Sequence, residues 1–134
     1  MNKLNTDSKF DIDLEFGNIG EEHIQNIFDG NSLVEVKTER DIWKDTKNVA
    51  IEVSYKGRPS GLSTTQATTW VQSFSYDGDV KFSLIFNVDK LKLLVKHLVK
   101  ENIAEVKMGG DGNMSKLVLI PISEIVKYYE GIWI

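Results

Sequence analysis

The chain contains no cysteine, which excludes a disulfide framework, a thiolate nucleophile and any zinc site that needs sulfur ligands. Its two histidines, His23 and His97, stand far apart, so neither has a second histidine at ligand spacing. Both read as surface or packing residues. Ser60, Ser63, Thr64 and Thr65 supply hydroxyls but no histidine base, which argues against serine-type nucleophilic catalysis. Apolar runs are too short to span a bilayer, and residues 1–7 lack the apolar core of a signal peptide, so a cytoplasmic protein without a membrane segment is expected. Acids outnumber bases, 20 to 16. A net charge of −4 argues against coating nucleic acid by bulk electrostatics.

What is present fits one globular domain spanning residues 1–134, with 41% hydrophobic and 27% charged residues. The charge is unevenly spread. Residues 1–36 carry eight acids and two bases, residues 37–58 carry four acids and six bases, and the remainder carries eight of each. The basic middle stretch holds Lys37, Arg40, Lys44, Lys47, Lys56 and Arg58, with Trp43 and Tyr55 among them. Cations could meet phosphates there, and an aromatic face could meet a base.

Along the chain, residues 10–16 alternate apolar and acidic, which predicts a half-buried strand or an extended lead-in punctuated by Gly17 and Gly20. Ile24, Ile27 and Phe28 then mark a short amphipathic helix that stops at Asp29-Gly30, with Glu21 on its inward side. A carboxylate there needs a partner or a cation. Two strands follow: Glu35, Lys37 and Glu39 oppose Val34, Val36 and Thr38, and Glu52, Ser54 and Lys56 oppose Val49, Ile51 and Val53. The polar stretch at residues 44–48 suggests that they form an antiparallel hairpin, which would gather Glu35, Lys37, Glu52, Ser54 and Lys56 on one face. Further on come a short helix or turn near residues 63–69, strands at 70–76 and 80–86 joined by Asp77-Gly78-Asp79, and a helix from Asp89, its N-cap, to Lys100. A turn at residues 109–113, a strand at 116–120 and a helix at 123–129 complete the order. It predicts an α/β or α+β domain with one mixed central sheet flanked by helices.

Hydrolysis of a phosphodiester needs hydroxide near neutral pH and neutralisation of developing negative charge, which hard cations held by carboxylates supply. Glu21, Glu35 and Glu52 are the candidate ligands, and Glu35-Val36-Lys37 sets an ammonium beside a carboxylate by strand period alone. With no cysteine and isolated histidines the site offers only oxygen, which suits magnesium or manganese.

Gly20-Glu21, then Val34-Glu35-Val36-Lys37, then Ile51-Glu52-Val53, followed by a helix and strand, resembles the core of the PD-(D/E)XK nuclease superfamily. The run Glu35-Val36-Lys37-Thr38-Glu39-Arg40-Asp41, with Trp43, Asn48 and Lys56-Gly57-Arg58-Pro59-Ser60-Gly61, is similar to small phage-type proteins of that superfamily. The resemblance covers residues 11 to 74, and more weakly Leu119-Ile120-Pro121-Ile122. It implies a restriction-endonuclease-like fold, a Mg2+ or Mn2+ cofactor, a DNA substrate and catalysis by Glu21, Glu35, Lys37 and Glu52. Arg40, Lys44, Lys47, Lys56 and Arg58 are the candidate DNA contacts. The superfamily pattern places an aspartate on one strand and Glu-x-Lys on the next, whereas here Glu-x-Lys comes first and Glu52-Val53-Ser54 second. Either Glu35 takes the aspartate role and Glu52 the glutamate role, with the lysine migrated to Lys37 or Lys56, or Glu35 and Lys37 are the motif and Glu52 is an added ligand. The leading expectation is a metal-dependent endonuclease; the alternative is a catalytically inert nuclease-fold module that binds DNA or a protein. A homodimer stays open, since Tyr128, Tyr129 and Trp133 suit either a core or an interface.

Overall fold

The computed structural model describes residues 11–30 and 32–132, with the side chains of 17–30 and 32–128. The N-terminal decapeptide, Trp133 and the side chain of Tyr129 lie outside them. The chain divides into two compact units, Met1–Leu33 and Val34–Ile134.

The first unit is described as one helix, α1 (Asp11–Phe28). The acid–apolar alternation of residues 11–16 therefore lies in a helix, not a strand, and Gly17 and Gly20 sit inside it. The six alternating residues 11–16 span less than two helical turns, too short a stretch to outweigh the helical pattern beyond Glu21. Glu21 is exposed rather than inward-facing, so its charge needs no buried partner.

The second unit is an α+β assembly of two sheets rather than one. Its elements are β1 (Val34–Arg40), α2 (Trp43–Thr46), β2 (Asn48–Tyr55), β3 (Arg58–Pro59), β4 (Thr69–Tyr76), β5 (Asp79–Asn87), α3 (Val88–Lys100), β6 (Glu105–Gly109), β7 (Ser115–Pro121) and α4 (Ile122–Ile132). One sheet has the order β1-β4-β5 and the other β3-β2-β7-β6. The predicted β1–β2 hairpin does not form. Residues 43–46 make a helical turn closed by Lys47 in a left-handed conformation, and the chain leaves one sheet for the other across it. β1 instead runs parallel to β4, pairing Glu35 with Trp70, Lys37 with Gln72 and Glu39 with Phe74. β2 pairs antiparallel with β7, and a bulge between Glu52 and Ser54 breaks the strict alternation that would have put both on one face.

A single core joins the sheets to the helices. Val49 and Ile51 of β2 lie opposite Ile120 and Val118 of β7, and all four are buried with Trp70, Phe74 and Phe86. Leu91, Leu94, Val95 and Leu98 give α3 its buried stripe, at the three- and four-residue spacing of an amphipathic helix. Its N-cap is Asn87, not Asp89: the Asn87 side chain accepts from the Lys90 N–H at 3.1 Å. Trp43 is also committed to packing, edge-on to Phe74 and Phe82 at 5.4 and 5.5 Å, with its indole N–H donating to the Ser75 carbonyl. That removes it from the set of aromatics offered to a base. His97 packs on Tyr128, which is buried. No helix among the described residues is long and apolar enough to cross a membrane.

Candidate hydrolytic site

Lys37 and Glu39 of β1, Ala50 and Glu52 of β2, Trp70 and Gln72 of β4, and Leu117 of β7 converge on a cavity of about 180 Å³ that also touches Thr38. Of the four residues singled out as catalytic from the sequence, the cavity gathers two, Lys37 and Glu52. Glu35 lies half-buried on the same strand and face, two residues before Lys37, but does not line the cavity. Glu21 belongs to the helical unit.

Each carboxylate of the cavity is held by named donors. Glu52 accepts from Ser115 Oγ at 2.7 Å through one oxygen and from Ser60 Oγ at 3.0 Å through the other. Ser60 is placed by its own N–H, which donates to the carbonyl of the bulged Val53, and by Gly61 next to it. Gly61 adopts φ +54°, and a Cβ there would lie 2.2 Å from the Glu52 carbonyl oxygen, so only glycine lets this loop close on β2.

Glu39 is the residue that sequence reasoning missed as a site member. One of its oxygens accepts from the Ala50 N–H at 2.6 Å, which ties β1 to β2 across the two sheets, and from Gln72 Nε2 at 2.9 Å. Its second oxygen has no hydrogen-bond partner among the described residues. No buried side-chain oxygen or nitrogen among the described residues lacks one, so this oxygen is not sealed from solvent. Burial pushes the Glu39 carboxyl above its ordinary range, against the opposing pull of the Ala50 and Gln72 donors. The signal for it was its place two residues beyond Lys37 on the same strand face, while its partner Gln72 lies 33 residues away.

The predicted phosphate contacts Arg40, Lys44, Lys47, Lys56 and Arg58 are all exposed, and none forms an ion pair among the described residues. Lys44 lies over the Tyr76 ring at 3.9 Å, Lys56 over Tyr55 at 5.5 Å, and Lys47 donates to the Lys44 carbonyl. Lys37 is likewise exposed without an ion pair. A wider depression of about 600 Å³ beside Lys44 is lined by Asp41, Ile42, Asp45, Tyr76 and Asp77. Its lining holds three acids and no cationic side chain, and Lys44 beside it is engaged on the Tyr76 ring. No group of three or more histidine or acidic side chains suited to a metal ion gathers among the described residues.

Comparison of the chain with known protein families, with curated proteins and with solved structures returns no match.

Proposed function

We propose that the cavity lined by Lys37, Glu39 and Glu52 is the hydrolytic centre of a magnesium- or manganese-dependent deoxyribonuclease acting in the cytoplasm. The observation that carries this reading is the convergence, from two different sheets, of two carboxylates and an ammonium without an ion pair among the described residues on one small cavity. Geometry brings Glu39 and Glu52 into the proposal; Glu35 and Glu21 enter it through the resemblance to PD-(D/E)XK nucleases alone.

The donor set suits a hard cation. Magnesium is held through one or two carboxylates with water and substrate phosphate completing its shell, and a pair is what the cavity offers. A bound divalent ion supplies hydroxide near neutral pH and neutralises charge on the phosphate. Glu39 presents an open oxygen, and Glu52 is fixed in orientation by its two serines. Lys37 orients the attacking water and stabilises charge as it builds on the phosphate. Arg40, Lys44, Lys47, Lys56 and Arg58 bind backbone phosphates and set the duplex in place.

One observation favours a second reading, a catalytically inert module that binds DNA or a protein. Both oxygens of Glu52 and one of Glu39 already accept from protein donors, so most of the acid pair is satisfied without a cation. Incubation of supercoiled plasmid with wild type, Lys37→Ala and Glu52→Gln separates the two. The hydrolytic reading requires nicking by wild type with magnesium, none with chelator, and none by either variant at an unchanged fold. Salt-dependent DNA binding without nicking supports the inert module.

A further inference from the structure

Beneath Lys37 lies a fully buried polar side chain for which the proposed chemistry has no direct use. Gln72 is 2% exposed, faces Lys37 across the parallel β1–β4 ladder and lines the cavity. Its amide is held at both ends: Trp70 Nε1 donates to Gln72 Oε1 at 2.8 Å, and Gln72 Nε2 donates to Glu39 at 2.9 Å. An indole N–H can only donate, so it takes the carbonyl end of the amide and turns the NH2 end toward Glu39. Flipped, the amide would set its oxygen against a carboxylate and leave the indole facing another donor. Trp70, 1% exposed, cannot move to accommodate that. The Gln72 and Ala50 donors meet on the same oxygen of Glu39, which leaves the other free toward solvent.

We propose that Gln72 is the positioning residue of this site: oriented by Trp70, it pins one oxygen of Glu39 and leaves the other to take the divalent cation. The inference rests on the hydrolytic reading for the identity of the ligand, but not for the arrangement. Burial alone would favour the neutral carboxyl, which binds no cation; the two donors oppose that. The remaining charged groups lining the cavity are Lys37 of β1, which favours the ionised form, and Glu52 of β2, which disfavours it. β4 and β7 contribute no charge to the lining.

The test follows the Glu39 carboxyl by NMR titration without metal, and manganese binding by calorimetry without DNA, in wild type, Gln72→Met and Trp70→Phe. Gln72→Met keeps the length and loses the donor. It should move Glu39 to a higher pH and weaken manganese binding near neutral pH by about tenfold or more, the usual cost of losing a partner that orients a metal ligand. Raising the pH should recover part of that affinity, which a mere packing defect would not allow. Trp70→Phe leaves Gln72 in place but free to turn, and a smaller shift in the same direction is expected; it serves equally if Gln72→Met does not fold. Manganese affinity unchanged in the folded variants overturns the proposal. Wild type that binds no manganese overturns the assignment of Glu39 to a cation. Wild type that binds manganese through Glu39 but cuts no DNA leaves the role of Gln72 standing and removes only the hydrolytic reading.

Discussion

Replacing Gly61 by alanine tests whether the loop that fixes Glu52 is as tightly closed as its geometry requires. The added Cβ would lie 2.2 Å from the Glu52 carbonyl oxygen, 2.9 Å from its carbonyl carbon and 3.1 Å from its Cβ. Two of these neighbours are backbone inside the β2–β7 ladder, so no flexible side chain can swing aside. The positive φ of +54° adds a penalty of about 1–2 kcal/mol for any L side chain, and the overpacking about 1–3 kcal/mol more. The sum, about 2–5 kcal/mol, is a large part of the total stability of a domain this size. At about 4 °C per kcal/mol for a chain of this length, the Tm should fall by about 8–20 °C. Gly57 is the internal control. Its φ is +76°, but a Cβ would meet nothing within 4 Å, so Gly57→Ala carries only the conformational penalty. Thermal unfolding followed by circular dichroism measures both. If Gly61→Ala melts within two or three degrees of Gly57→Ala, the loop is not clamped on β2 and Ser60 does not owe its position to this contact.

Burial raises the carboxyl of Glu39, so the folded state keeps its proton to a higher pH than the unfolded chain does. The stability this proton confers is complete below the ordinary glutamate range and is lost as pH rises through the raised value. Glu39→Gln, which can still accept from Ala50 and Gln72, should therefore match wild type at low pH and melt higher at neutral pH; Tm against pH for the two proteins checks this. Ser115→Ala should cost about 1.5–3 kcal/mol by chemical denaturation, since a buried hydroxyl bonded to a carboxylate is lost, and less in a Glu52→Gln background. DNA affinity measured by fluorescence anisotropy without divalent metal should fall steeply with salt, and neutralising any of Arg40, Lys44, Lys47, Lys56 or Arg58 should lower the slope of log K against log salt by about one. An unchanged slope in all five variants would place the phosphate contacts elsewhere.

Sequence alone carried the elements further than it carried their pairing. The alternation in residues 34–39 and 48–56 located β1 and β2 to within a residue or two, and the three- and four-residue spacing from Leu91 to Leu98 located α3. The same alternation reads identically whether a strand pairs with its neighbour or with one 35 positions away, as Val34 does with Thr69. The hairpin was the shorter connection, but Trp43 commits the linker to the aromatic cluster with Phe74 and Phe82, a contact invisible in local pattern. The bulge after Glu52 was illegible for a related reason: it depends on β7 opposing β2 with one residue fewer. Lys37 and Glu52 were found because a charged residue on an apolar strand stands out. Glu39 stood out equally, yet what distinguishes it is burial against Gln72 and Ala50, which only the tertiary structure supplies. β6 alternates polar and apolar residues over Glu105–Met108, but only two apolar side chains, both exposed, carry the rhythm, too short a run to mark a strand by itself.

Calorimetric titration of manganese into wild type and into a Glu39→Gln, Glu52→Gln double variant shows whether Glu39 and Glu52 form a cation-binding pair in one cavity. A saturable heat in wild type that weakens as pH falls and is accompanied by proton release is expected, with its loss in a double variant that still folds. Equal heats in the two proteins would contradict it and place any metal outside this cavity.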